Sequence, residues 1–283
     1  MGKGNMYIGL LTAPFHDRSL EEVIRWAGEN GFAALEVASG PGSPHLDPTN
    51  FTPERAKEIR NLCEQQEIRL SSLACYANLL DPDRRQRERL TAALRELINA
   101  AGQLGVEVVC TGAGMPLPGK TKMQTIEEEV PGVYGPLVKY AASRGIKIAL
   151  ENWFATNIQN LEHWDKIFTL VPDENFGLNF DPSHLYWQQI DYLQAVKEFG
   201  PRIFHTHAKD TTIDQARLRR VGNQASGWWR YSIPGEGGID WAAYLAALRS
   251  GGYEGVLSIE HEDRELGVEE GFLRGLQFLS PLV

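Results

Sequence analysis

Residues 147–181 read KIALENWFATNIQNLEHWDKIFTLVPDENFGLNFD. Two short apolar runs, Lys147 to Leu150 and Phe176 to Phe180, bracket a longer stretch, and each stops at a carboxylate, Glu151 and then Asp181. Continuous apolar runs of this length predict strands buried on both faces, and their alternation with helical stretches predicts βα units feeding a parallel sheet. Six further runs fit: Tyr7 to Leu11, Ala34 to Val37, Arg69 to Ala74, Val106 to Cys110, Ile203 to Thr206 and Val256 to Ile259. Eight units in 283 residues with no interdomain linker predict one α/β domain, a (β/α)8 TIM barrel over residues 1–283. A doubly wound sheet of this length would more often carry a clear nucleotide fingerprint.

The helices between these runs have local punctuation. Ser19 with Glu22 three residues on forms a capping box, Leu20, Val23, Ile24 and Ala27 follow as one apolar stripe, and Asn30-Gly31 ends it. Thr52-Pro53 is an N-cap with proline at the first helical position, and Asp240 opens a helix ending near Ser250. Asp210 to Gly238, rich in Arg, Gly and Trp, is the longest irregular connection. It follows the seventh strand on the catalytic face, so Trp228 and Trp229, flanked by Arg220 and Arg230, read as a lid, a dimer contact or a plain surface loop.

Composition excludes several classes. A formal net charge of −9 repels a phosphate backbone, so nucleic acid is not an expected partner. No run is apolar for long enough to span a membrane, and Met1 to Leu11 lacks a leader's apolar core and cleavage site. Met6 stands where a myristoylation signal wants Ser or Thr, and Met1 to Asn5 reads as a loose end. Cys63, Cys75 and Cys110 are odd in number and widely spaced, which fits a reducing cytoplasm.

Four polar residues stand where the fifth to eighth apolar runs end: Glu151, Asp181, His207 and Glu260. Consecutive strand ends lie side by side around a barrel mouth, so three carboxylates and an imidazole converge there. Three anions buried together without compensation would cost several kcal/mol each, on the order of any buried unpaired charge, and a divalent cation removes that cost. Carboxylate-rich ligation favours Mn or Mg, while the imidazole keeps Co, Fe and Zn in play.

Leu150-Glu151-Asn152, Phe180-Asp181-Pro182-Ser183-His184, His205-Thr206-His207-Ala208-Lys209-Asp210, Pro234-Gly235-Glu236-Gly237 and Ser258-Ile259-Glu260 together resemble the xylose-isomerase-like barrels of sugar phosphate isomerases and epimerases. That family includes ketose 3-epimerases, inosose dehydratases and isomerases, and hydroxypyruvate isomerases. The resemblance implies one divalent metal held by Glu151, Asp181, His207 and Glu260, with Glu151 and Glu260 doubling as the acid/base pair. The implied reaction is proton transfer beside a carbonyl of a sugar or polyol through a metal-stabilised enediolate. His184, Lys209 and Trp153 are the candidate substrate-binding residues, with a supporting role for His184 and a solvated loop position for Lys209 as the alternatives. His205 is expected inside the barrel. Two positions depart from ketose 3-epimerases: Ile213 stands where they place an Arg, and Asn157 where they use a carboxylate. Isomerisation, epimerisation and water elimination therefore all stay open, a non-catalytic sugar-binding barrel is the further alternative, and a homo-oligomer is left open. The absence of a basic phosphate cradle points to an unphosphorylated polyol.

Gly114-Met115-Pro116-Leu117-Pro118-Gly119-Lys120-Thr121 fits the phosphate-loop pattern literally. Pro116 and Pro118 remove two backbone donors from a loop that works through its N–H groups, and Pro131 is expected to limit the helix beginning at Lys120. A three-metal endonuclease of the wider superfamily would want added histidines where Cys75-Tyr76 and Cys110-Thr111 end the third and fourth strands.

Overall fold

The computed structural model describes residues 6–283. The expectation of a loose end at Met1 to Asn5 lies outside the described residues.

Eight parallel strands close into a barrel: β1 (Tyr7–Leu11), β2 (Ala34–Ala38), β3 (Arg69–Cys75), β4 (Val108–Gly112), β5 (Lys147–Glu151), β6 (Phe176–Phe180), β7 (Ile203–Ala208) and β10 (Val256–Ile259). All eight expected strands form, four of them one or two residues longer than expected. The fourth begins at Val108 rather than Val106. The preceding helix α3 (Arg84–Leu104) ends on left-handed Gly105, φ 73°, and the Val106 N–H turns back to the Ala101 carbonyl, which keeps Val106 out of the ladder.

Helices α1 (Leu20–Glu29), α2 (Pro53–Gln65) and α9 (Trp241–Ser250) start at the expected caps Ser19, Thr52 and Asp240. The expected effect of Pro131 is overturned: α4 (Lys122–Ala142), capped by Thr121, runs through both Pro131 and Pro136. Each internal proline costs about 3 kcal/mol, while burying a Val- or Leu-sized side chain contributes about 1.5–3 kcal/mol. Ile126, Val130, Tyr134, Leu137 and Val138 are all buried on this helix, so tertiary packing wins.

One large apolar cluster lies between strands and helices, and a small one of Leu11, Ala74, Val108, Cys110 and Ala149 accompanies it. Other buried strand residues are polar: Glu36, Ser72, Asn179, His205, His207 and Ser258. Contacts such as Glu36 on β2 with His207 on β7, strands that are not neighbours in the barrel, place these groups in its interior.

The segment after β7 is ordered rather than irregular. Asp210–Ile213 (β8) and Trp229–Ser232 (β9) pair antiparallel, with exposed helix α8 (Gln215–Val221) between them. Its base is held by Asp210, whose carboxylate accepts from Gly235 N, Ile239 N and Trp241 Nε1. Among the described residues no helix is long and apolar enough to cross a membrane.

Candidate metal centre and active site

Glu151 is the last residue of β5, His207 lies within β7, and Asp181 and Glu260 follow β6 and β10. Each offers one ligand atom, and these four atoms lie within 4.8 Å of one another. His207 Nδ1 stands 2.9 Å from Glu260 Oε2, 3.4 Å from Glu151 Oε1 and 3.8 Å from Asp181 Oδ2. Among the described residues, neither buried atom, His207 Nδ1 nor Asp181 Oδ2, makes a hydrogen bond of good geometry, although Glu260 Oε2 lies 2.9 Å from the first and Lys209 Nζ 3.1 Å from the second. Buried polar atoms are rarely left so, and a divalent cation accepts both. Oxygen-rich donors with one imidazole fit such an ion.

The backbone fixes these positions locally. Asp181 caps helix α6 (Pro182–Tyr186) through Oδ1, which accepts from Ser183 N at 2.8 Å and leaves Oδ2 free to point inward. Asn152 clamps the same residue, accepting from Asp181 N at 2.7 Å and donating to its carbonyl at 2.8 Å.

The structure brings His184 and Lys209 into the cluster. His184 Nε2 lies 3.1 Å from Glu151 Oε1 and 3.4 Å from Asp181 Oδ2, and Nδ1 lies 2.7 Å from Tyr231 Oη. Lys209 is 1% exposed, so the solvated-loop alternative is overturned. Its Nζ reaches Glu260 Oε2 at 2.5 Å, Glu262 Oε2 at 2.7 Å and Asp181 Oδ2 at 3.1 Å, and lies 4.4 Å above the Tyr231 ring. Trp153 is placed differently: it is 39% exposed, and its ring packs edge-on against Phe154.

Burial opposes charge throughout the cluster, and the partners decide the outcome. Glu151 is held below the usual carboxylate range because His184 and His207 outweigh burial, and Asp181 likewise because Lys209 and His184 do. Burial raises Glu260 despite His207 and Lys209, with Glu151 pushing the same way. For His207, burial is outweighed by Glu260 and Glu36, so its proton is held well above the usual histidine range.

His205 sits inside the barrel as expected, donating from Nδ1 to Asn179 Oδ1 at 2.9 Å, with burial lowering its pKa to about 4. Glu36, Cys110 and His205 also lie close enough to share an ion. Their donor atoms are taken: Glu36 accepts from Tyr76 and Ser258, His205 Nε2 contacts Ser71 Oγ at 3.1 Å, and burial keeps the Cys110 thiol protonated.

Sequence reading missed Glu36, Tyr76, Tyr231 and Glu262. Glu36 had a signal, an acid inside the apolar run Ala34-Leu35-Glu36-Val37, whereas the others depend on distant segments meeting. Asn157 braces a loop, donating to the Ala113 and Gly114 carbonyls, and so does not replace a missing acid at the site. The donors of the phosphate-loop pattern are likewise engaged within the chain. Met115 N and Leu117 N donate to Asn78 and Thr125, and Lys120 pairs with Glu128 at 2.5 Å.

Aromatic rings wall the mouth. Trp229 stacks on Trp187 at 4.4 Å and 9°, Phe154 meets Trp187 edge-on at 5.0 Å, and Trp228 is buried against Trp187. Arg230 is tied to Asp263 and Glu265, while Arg220 lies exposed on α8. Between this hairpin and the loop after β10 lies a cleft of about 620 Å³, lined by Trp229, Tyr231, His261 and Glu262 among others.

Comparison with known proteins agrees with this architecture. The chain is 29% identical to the uncharacterized protein YfiH of Bacillus subtilis (strain 168), over 98% of this chain and 99% of that protein. It is 25% identical to an inosose dehydratase of Clostridium botulinum (strain Alaska E43 / Type E3), covering 87% of this chain and 83% of that enzyme. The crystal structure of the IolI protein with a bound zinc atom superposes with a TM-score of 0.78 at 20% identity, covering 98% of this chain and 99% of that one. A family model described as the xylose isomerase-like TIM barrel matches residues 24–282, nearly the whole of the closed barrel and all four cluster residues, and the chain belongs to that family.

Proposed function

We propose that the chain is a single-domain, divalent-metal-dependent isomerase or epimerase of a sugar or polyol, acting in the cytoplasm by proton transfer beside a carbonyl. The observation that carries this reading is the cluster itself: four donors within 4.8 Å, two of them buried without hydrogen bonds. Glu151, Asp181, His207 and Glu260 would hold the metal, and the zinc bound by the IolI protein supports a divalent ion here. When bound, the ion supplies Lewis acidity, holding adjacent substrate oxygens and stabilising the negative charge that follows loss of the neighbouring proton. Glu151, held ionised, is suited to take that proton, and Glu260, raised by burial, to return one. Lys209 and His184 face the same space and orient substrate oxygens, Lys209 with a fixed positive charge. Trp153 and the aromatic wall around Trp187 and Trp229 offer apolar faces to the carbon skeleton of an unphosphorylated substrate, while a net charge of −9 disfavours nucleic acid.

A second reading, a lyase that removes water from a keto-inositol or keto-sugar, is favoured by the similarity to an inosose dehydratase and by Ile213, which stands where ketose 3-epimerases place an Arg. It begins with the same proton abstraction, after which the hydroxyl on the next carbon leaves with a proton from an acid such as Glu260.

Elemental analysis of purified protein tests the shared premise. One divalent ion per chain is expected, lost in His207→Ala and Asp181→Ala, and full stoichiometry in either variant would overturn the ligand set. Shortening the β8–β9 hairpin is expected to raise KM and lower kcat together, because Tyr231 and Trp229 leave the site. Unchanged kinetics with an altered oligomeric state would make the hairpin a subunit contact instead.

A further inference from the structure

Glu36 is fully buried on β2, outside the four-residue cluster, and nothing in the proposed proton transfer uses it. Its carboxylate is surrounded by donors. Tyr76 Oη donates to Oε1 at 2.7 Å, Ser258 Oγ donates to Oε2 at 2.8 Å, and His207 Nε2 lies 3.0 Å from the same Oε2. Tyr76 is held in turn by Asn179 Nδ2 at 2.9 Å, and Asn179 Oδ1 accepts from His205. These side chains come from β2, β6, β7, β10 and the end of β3, so the network crosses the barrel interior. The ladders on either side are adjusted to it: pairing slips by one residue between Leu35 and Glu36 against β3, and between Leu178 and Asn179 against β7. Slips of this kind re-aim side chains.

The two edges of the His207 ring therefore face different things. Nε2 faces Glu36, and Nδ1 faces Glu151, Asp181 and Glu260 without a hydrogen bond among the described residues. Asn179 Nδ2, also 3.0 Å from Nε2, is a donor to Tyr76 Oη at 2.9 Å, and Tyr76 Oη, 3.3 Å from Nε2, gives its own proton to Glu36 Oε1, so both have another acceptor for the proton that Nε2 would otherwise receive. A lone pair on Nε2 would meet a carboxylate oxygen at 3.0 Å, acceptor against acceptor, whereas a proton there makes a charge-assisted hydrogen bond.

We propose that Glu36 is a positioning residue that holds the proton of His207 on Nε2 and locks the ring so that the lone pair of Nδ1 points into the metal cluster. The proposal rests on the metal reading given above. A carboxylate behind a ligating histidine fixes its tautomer and increases its basicity as a ligand, and loss of such a partner weakens metal binding by about 10- to 100-fold.

The test is calorimetric titration of the metal-free protein with Zn²⁺, using wild type, Glu36→Gln, His207→Asn and the double variant. Glu36→Gln is expected to weaken binding about 10- to 100-fold in the wild-type background and to change nothing further once His207 is Asn, because Glu36 acts through that ring. Equal weakening in both backgrounds would reduce Glu36 to a distant charge and overturn the proposal, as would unchanged affinity in the wild-type background. If wild type itself binds no Zn²⁺, the metal reading falls and this proposal falls with it; if wild type binds and Glu36→Gln matches it, only this proposal falls. Should Glu36→Gln not fold, or His207→Asn bind too little Zn²⁺ for the comparison, the long-range proton–nitrogen NMR spectrum of Zn²⁺-loaded wild type decides the matter. The His207 proton is expected on Nε2, and finding it on Nδ1 would overturn the assignment.

Discussion

Glu151→Gln and Glu260→Gln are each expected to lower kcat of the metal-loaded protein by about 10²- to 10⁴-fold, the usual contribution of a positioned proton-transfer group. Both residues belong to the same four-donor cluster, yet their surroundings push their acidities apart. Glu151 faces His184 at 3.1 Å and His207 at 3.4 Å and is held ionised. Glu260 is raised by burial, and the neighbouring charges of Glu151 and Glu262 add to that rise. Separated acidities of this kind divide labour between a base and an acid. Gln keeps the size of Glu and one oxygen for the ion, so the loss reports proton transfer rather than collapse of the site. Steady-state kcat at full metal occupancy is the measurement. Near-normal turnover in either variant would exclude a two-carboxylate mechanism and move the role to whichever of Lys209 and His184 proves indispensable.

Treatment with a chelator is expected to take turnover to the background rate, and reloading the metal is expected to become harder as pH falls. In the metal-free protein burial works against charge on His207, but Glu260 and Glu36 overcome it, so the imidazole keeps a proton well above its usual range. The sign for stability follows from a folded-state pKa raised above the unfolded one. The charged His207 stabilises the metal-free fold fully below the ordinary histidine pKa of about 6.5, and the contribution fades as pH rises through the raised value. Metal binding runs the opposite way, because the ligand must shed that proton. Affinity should therefore climb by about tenfold per pH unit below the raised value, with about one proton released per ion from this ring. Calorimetry in buffers of different ionisation enthalpy counts the protons, and an affinity independent of pH would contradict the ligand role of His207.

The strands could be read from the sequence because a barrel strand buried on both faces leaves a continuous apolar run, as in Ile148-Ala149-Leu150. The four cluster residues were visible for a related reason, since each is a polar group where such a run ends. Glu36 follows the opposite logic. One acid inside an apolar run carries no indication of its partners, which here come from strands far away in sequence, with His207 171 residues distant. Lys209 was ambiguous because Glu262, one of the partners that bury it, lies 53 residues on. The β8–β9 hairpin was obscured by its Arg, Gly and Trp content, although Trp229-Arg230-Tyr231-Ser232 pairs residue by residue with Asp210–Ile213. At α4 the prolines misled because helix propensity is local, whereas the buried face that overrides it is not.

The central claim is that the cluster moves a carbon-bound proton beside a carbonyl, and solvent exchange tests it most directly. Metal-loaded protein is incubated in deuterated water with unphosphorylated keto-sugars and keto-inositols, and the recovered sugars are examined by NMR and mass spectrometry. The account predicts deuterium at the carbon beside the carbonyl of at least one of them, dependent on the metal and lost in the Glu151→Gln, Glu260→Gln double variant. A compound that binds tightly to the metal-loaded protein with no exchange and no turnover, and no exchange with any other, would contradict the account and make the chain a sugar-binding barrel.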